Sequence, residues 1–126
     1  MTLSLEMQDE LLIATLSGEI SEPEAALRIK EVLEFVGRSR AAVKNVKKIL
    51  ANCLAVTGRL STMERYSLAL AAVSLGRSLE INPNIAFVGR PPTFDGFALR
   101  VAINRGSKSA MFTEIQPALD WLTHTA

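Results

Sequence analysis

Apolar residues recur with period two at the start of the chain, where Leu3, Leu5 and Met7 alternate with Ser4, Glu6 and Gln8. Such alternation puts one set of side chains on one face of an extended backbone and leaves the other in water. It predicts a half-buried strand. Asp9-Glu10 makes a short turn, Leu11 to Leu16 reads as the second strand of a hairpin, and Gly18 ends the pair. The period then becomes helical. Ser21 is a capping residue, Pro23 suits the first turn, and Glu24 stands three after Ser21 as in a capping box. Ala25, Ile29, Val32, Leu33 and Val36 share one face of this helix, and Gly37 is its natural stop.

Lys47 to Val56 holds the near-continuous apolar runs Ile49-Leu50-Ala51 and Cys53-Leu54-Ala55-Val56, the pattern of a central strand covered on both faces. Gly58-Arg59 breaks it. A second helix starts at the capping pair Ser61 and Glu64, runs to about Gly76 and is apolar nearly all round. On one assignment of its faces, Met63, Tyr66, Leu70 and Val73 meet the sheet, leaving Leu68, Ala71 and Leu75 toward a partner. Ile85 to Val88 is a short buried strand halted by Gly89 and Pro91-Pro92. Phe94, Phe97, Ala98, Val101 and Ala102 mark a third helix with Gly106 as its cap. Lys108 to Phe112 is the last strand, and a third capping pair, Thr113 with Gln116, opens a final helix holding Ala118, Leu119 and Leu122. The order ββαβαβαβα predicts one α/β domain over residues 1–126, with a mainly parallel sheet and an antiparallel hairpin at its edge.

Composition narrows the chemistry. A chain of 126 residues, 48% hydrophobic and 21% charged, has room for one core. A net charge of +1 provides no global field to recruit nucleic acid or a membrane surface. The one cysteine, Cys53, excludes an intramolecular disulfide and fits a reducing compartment; with no basic leader and no long apolar run, a cytoplasmic location is expected. The one histidine, His124, is among the last three residues, which leaves no Ser-His-Asp or Cys-His arrangement in the body of the fold. One terminal histidine and one cysteine in an apolar strand do not assemble a metal site. No cofactor is expected.

The stretch Ala55-Val56-Thr57-Gly58-Arg59-Leu60-Ser61-Thr62-Met63-Glu64-Arg65-Tyr66 resembles the strand-to-helix turn of SpoIIAA-like proteins of the STAS superfamily. Ala86-Phe87-Val88-Gly89-Arg90-Pro91-Pro92, Asp95-Gly96-Phe97, Asn104-Arg105-Gly106 and the ending Ala118-Leu119-Asp120-Trp121-Leu122 extend the resemblance along nearly the whole chain. It implies a non-catalytic binding or regulatory module acting on a protein or small ligand, with a homodimer as a candidate assembly. The superfamily's likeness to Sec14-type carriers implies an alternative, an apolar pocket for a lipid. In the superfamily a serine of this turn is phosphorylated by a partner kinase, so the resemblance makes Ser61 and Thr62 candidate phosphoacceptors. The surrounding motif departs from the family's Asp-Ser-Ser-Gly-Leu at three places, with Leu60 for the aspartate, Met63 for the glycine and Glu64 for the leucine.

The residues also admit plainer readings. A hydroxyl at Ser61 satisfies an orphan helix amide without any phosphate. Arg59 and Arg65 flank the same helix start and are candidate anion contacts, as are Arg90 and Asp95 in the loop after the fourth strand. Arg38, Arg40, Lys44, Lys47 and Lys48 form a stretch without an acidic residue, which reads either as an anion patch or as a solvated connection. No aromatic interleaves those charges, which argues against single-stranded nucleic acid.

Overall fold

The structure, a computed structural model, describes residues 1–41 and 45–125. Strands β1 (Thr2–Gln8), β2 (Leu11–Glu19), β3 (Lys48–Thr57), β4 (Asn84–Val88) and β5 (Lys108–Phe112) lie side by side in that order. β1 pairs antiparallel with β2, and every later neighbour is parallel. Helices α1 (Glu22–Ser39), α2 (Thr62–Ser78) and α3 (Phe97–Ile103) make the three crossovers, and α4 (Ile115–Thr123) ends the chain. Crossovers of one hand between strands added in one direction all fall on the same face of a sheet. α4 follows the last strand, is not a crossover, and covers the other face.

Two cores result. On the crossover side Leu12, Val36, Val46 and Ile49 are buried beneath Leu5, Met7, Val32, Phe35, Ile81 and Ile85. On the α4 side Leu50, Ala86 and Val88 pack against Ala118 and Leu122. β3 supplies Ile49 to one core and Leu50 to the other, so its apolar run does belong to a doubly covered strand.

Several local expectations are corrected by tertiary contacts. The β1–β2 pairing does stop before Gly18, but β2 runs past Leu16, continuing along β3 with Gly18 opposite Val56 and Glu19 opposite Thr57. α1 passes through Gly37 to Ser39, with room beside Gly37 for the Leu79 side chain after α2. Of the three capping pairs, Ser61 and Glu64 form the full reciprocal box. Ser21 accepts from the Glu24 N–H, but the Glu24 carboxylate pairs with the Met1 amino group instead. At Thr113 there is no box: Glu114 is the N-cap of α4, and Gln116 donates to Asp120 at 2.9 Å. Phe94 precedes α3 rather than joining it, and its ring lies on the backbone of Gly89. Gly106 does close α3, in a left-handed conformation (φ 99°) that lets Ser107 N–H reach the Ala102 carbonyl at 3.1 Å.

The assignment of α2's faces is also overturned. Leu68 is buried with Ala25 and Leu60, while Met63 is 70% exposed. α2 is held between α1 and α3, so it buries flanks as well as the side above the sheet. Ala71 is exposed, as expected of the partner-facing set.

Candidate functional site

The carboxyl end of β3 is where the strand leaves the core. β4 accompanies β3 only as far as Asn52, opposite Val88. Between Thr15–Asn52 and Ser17–Ala55 the register with β2 shifts by one residue, a bulge that places Cys53 and Leu54 against the single Leu16. Cys53 stays buried and Leu54 is turned outward. Leu54 N–H donates to Asn52 Oδ1 at 3.1 Å in place of a ladder bond. β3 ends in Gly58 at φ 89°, a conformation that opens the turn into α2 and that side chains with a Cβ rarely adopt.

The turn is anchored by Leu60, 6% exposed among Ala25, Leu68, Met1, Ile20 and Ile29. The residue standing where the family motif has aspartate is therefore a packing residue. Ser61 caps α2, its Oγ accepting from Glu64 N–H at 3.1 Å while Glu64 Oε1 accepts from Ser61 N–H at 2.9 Å. Ser61 and Thr62 are both exposed.

Arg65 folds back over this turn. Its guanidinium donates to Asp95 Oδ2 at 2.5 Å and to Thr62 Oγ1 at 3.3 Å, and it lies 5.5 Å above the centre of the Phe97 ring. Its side chain is only 11% exposed. Arg59 approaches the same Asp95 oxygen at 3.8 Å. The other carboxylate oxygen, Oδ1, accepts from Phe97 N–H at 3.1 Å. Asp95 thus caps α3 where the formal N-cap, Gly96, has no side chain to do so. The Arg65 hydrogen bond, then the Phe97 N–H, then the charge of Arg59 hold the Asp95 carboxyl below its ordinary range.

Of the four residues expected as anion contacts, three are brought together, but as a closed ion cluster rather than an open seat. Arg90 sits exposed beyond Gly89, next to the cis Pro91-Pro92 bond, and joins neither pair with Asp95. The basic stretch after α1 also resolves into structural contacts. Arg40 donates to the Leu79 and Glu80 carbonyls at the end of α2, and Lys48 to the Leu122 carbonyl in the last turn of α4. Lys47 pairs with Glu10 at 3.3 Å. Cations at helix carboxyl ends meet the negative pole of the dipole and the orphan carbonyls there. Arg38 lies in the exposed last turn of α1, and Lys44 lies outside the described residues.

Burial alone pushes the Cys53 thiol up to about 12, which leaves it un-ionised and inert. Among the described residues no three His, Cys, Asp or Glu side chains converge as a metal site. Two open clefts of about 510 and 500 Å3 lie at the opposite, amino end of the parallel strands. Both include Glu10 and Lys48, and the larger adds Arg40, Lys47, Glu80 and Lys108. Neither is an enclosed apolar chamber of the kind a lipid carrier needs. Among the described residues no helix is long and apolar enough to cross a membrane. The Arg65–Asp95 pair, thirty residues apart, and the outward turn of Leu54 had no local signal in the sequence; only Asp95-Gly96 before an apolar run hinted at a helix cap.

The fold is that of the SpoIIAA-like STAS domains, α/β with the same mixed sheet and element order. An anti-sigma factor antagonist from Mycobacterium paratuberculosis superposes with a TM-score of 0.60 at 15% identity, over 97% of this chain and 93% of its own. SpoIIAA in its unphosphorylated form gives 0.56 at 18% identity, covering 99% of both chains. The phosphorylated form of SpoIIAA, a Bacillus cell fate determinant, gives 0.52 at 18%, over 96% of this chain and 99% of that one. No family model matches the chain, and no curated protein does.

Proposed function

We propose that the chain is a non-catalytic regulatory module that docks a protein partner on the α2 amino-terminal turn. The observation that carries this reading is Met63, 70% exposed on the second helical residue; Leu54, 36% exposed, is a further apolar side chain turned outward toward the carboxyl end of β3. Large apolar side chains held in water on a rigid turn are anchors for a partner surface. The Arg59–Arg65–Asp95 cluster makes the turn rigid and gives it a polar rim. The structural neighbours described as anti-sigma factor antagonists support a protein as the partner. A photo-crosslinking residue at position 63 should capture a defined partner in cells, while the same residue at Lys30, exposed on α1, should not. Identical captures at the two positions would remove the proposal.

A second reading, phosphorylation at Ser61 or Thr62, is supported by the exposure of both hydroxyls and by Arg65 beside Thr62 Oγ1. The two sites differ. A phosphate on Ser61 would face the Glu64 carboxylate across the capping box, whereas one on Thr62 would meet Arg65. Thr62 is therefore the acceptor this geometry favours. Intact-mass measurement of protein from its native cells, with and without Thr62→Val, tests it: the phosphate adduct should vanish in the variant and persist in Ser61→Ala.

A further inference from the structure

The net charge of +1 conceals a strong segregation. Residues 1–36 carry eight acidic and two basic side chains, whereas residues 37–112 carry twelve basic and three acidic ones. The fold carries part of this division into space, although Arg38 stays in α1, Lys47 beside Glu10 of the hairpin, and exposed Glu114 follows β5. β1, β2 and α1 form one end of the sheet, and β5 with α3 forms the other. At the acidic end Glu6 and Asp9 are exposed and have no ion pair among the described residues. At the basic end the same holds for Arg100, which lies on α3 with Ile103, 42% exposed, and for Lys108 at the start of β5, in the row on the sheet face that α4 covers.

Both ends are strand edges, and their registers are compatible. Gln8, Leu11, Lys48, Asn84 and Lys108 form one row across the sheet, and Glu6, Ile13, Leu50, Ala86 and Ala110 form the next row on the same face. β1 runs opposite to the other four strands. A second copy translated along the row would therefore set its β1 antiparallel to β5 of the first. Lys108 would then lie beside Gln8 with Glu6 diagonal to it, a separation of roughly 7–8 Å that long side chains bridge. Neither edge strand contains a proline. The charges alone discriminate: β1 against β1 or β5 against β5 opposes like signs, and β5 against β1 joins unlike ones.

We propose that copies of this chain associate head to tail, the basic α3–β5 edge of one on the acidic β1 hairpin of the next. A second copy is the one partner whose complementary surface is itself present in the structure. A pI near 7.9 leaves little net repulsion between copies at neutral pH. The contact is heterologous, so it produces a concentration-dependent series of species rather than a closed dimer.

Sedimentation velocity over a concentration series tests this at about 0.01 M and about 1 M salt, where the screening length falls from roughly 30 Å to roughly 3 Å. The weight-average sedimentation coefficient should rise with concentration at low salt and return to the monomer value at high salt. Arg100→Glu with Lys108→Glu makes both edges acidic, and Glu6→Lys with Asp9→Asn removes the acidic character of the hairpin. Each double variant, shown folded by circular dichroism, should stay monomeric alone, and an equimolar mixture of the two should associate. Wild-type protein that is monomeric at low salt, a discrete dimer that survives high salt, or association indifferent to the reversals would each overturn the proposal.

Discussion

Gly89 joins β4 to the loop that carries Asp95, and a single methyl group there tests how that loop is seated. A Cβ built on Gly89 would lie 2.5 Å from Phe94 Cδ2, 2.9 Å from Cγ and 3.2 Å from Cβ. The backbone of Gly89 is not in the left-handed region, so alanine meets no conformational penalty and the clash stands alone. Forcing one methyl into packed surroundings costs about 1–3 kcal/mol, and replacing glycine gains about 0.4–1 kcal/mol from the unfolded chain. Gly89→Ala should therefore lose about 1–2 kcal/mol. At roughly 3–5 °C per kcal/mol for a domain of this size, Tm falls by several degrees. Because Phe94 adjoins Asp95, the displaced ring should also loosen the Arg65–Asp95 pair. Chemical denaturation of Gly89→Ala, Phe94→Ala and the double variant forms a cycle that isolates the contact. The double variant should be no less stable than Phe94→Ala. If Gly89→Ala matches the wild type, or if its loss persists undiminished without the Phe94 ring, the close approach is not what glycine serves here.

Three further outcomes follow from the same contacts. Ser61→Ala removes the acceptor of the Glu64 amide and should cost about 1 kcal/mol by urea denaturation; Ser61→Asp, which keeps an acceptor, should not. The Cys53 thiol is raised from its ordinary 9.0 to about 12 by burial, so the folded state keeps a proton that the unfolded chain releases. Its contribution is complete below pH 9 and is lost as pH rises toward 12; alkaline unfolding of Cys53→Ala should show a shallower decline, and native Cys53 should resist a thiol reagent until the protein unfolds. Asp95 has the opposite sign: its folded carboxyl is held low, so its contribution is present above its ordinary 3.8 and is lost as pH falls below that. Asp95→Asn should flatten the acid limb of the stability profile, and an unchanged limb would remove Asp95 as its cause.

Period-two alternation, helical spacing and cap residues were enough to place the nine elements of the described residues in order, because each is a property of neighbouring residues along one backbone; the parallel sheet with its hairpin edge followed from that order through the right-handed crossover rule. The same local signals failed where a remote element competed for a group. Glu24 looked like the closing half of a capping box, yet its carboxylate belongs to the Met1 amino group. Gly37 looked like a terminator, yet α1 runs past it with Leu79 packed beside it, and β2 runs past Leu16 because β3 pairs with it beyond the end of β1. The faces of α2 were undetermined because an all-round apolar helix has no preferred side until α1 and α3 take theirs. At the candidate site the sequence supplied Ser61, Thr62, Arg59, Arg65 and Asp95 as chemistry without positions. Tertiary structure closed three of those charges on one another and left the apolar Met63 and Leu54 outside, since only folding settles which charges satisfy each other and which surface remains for a partner.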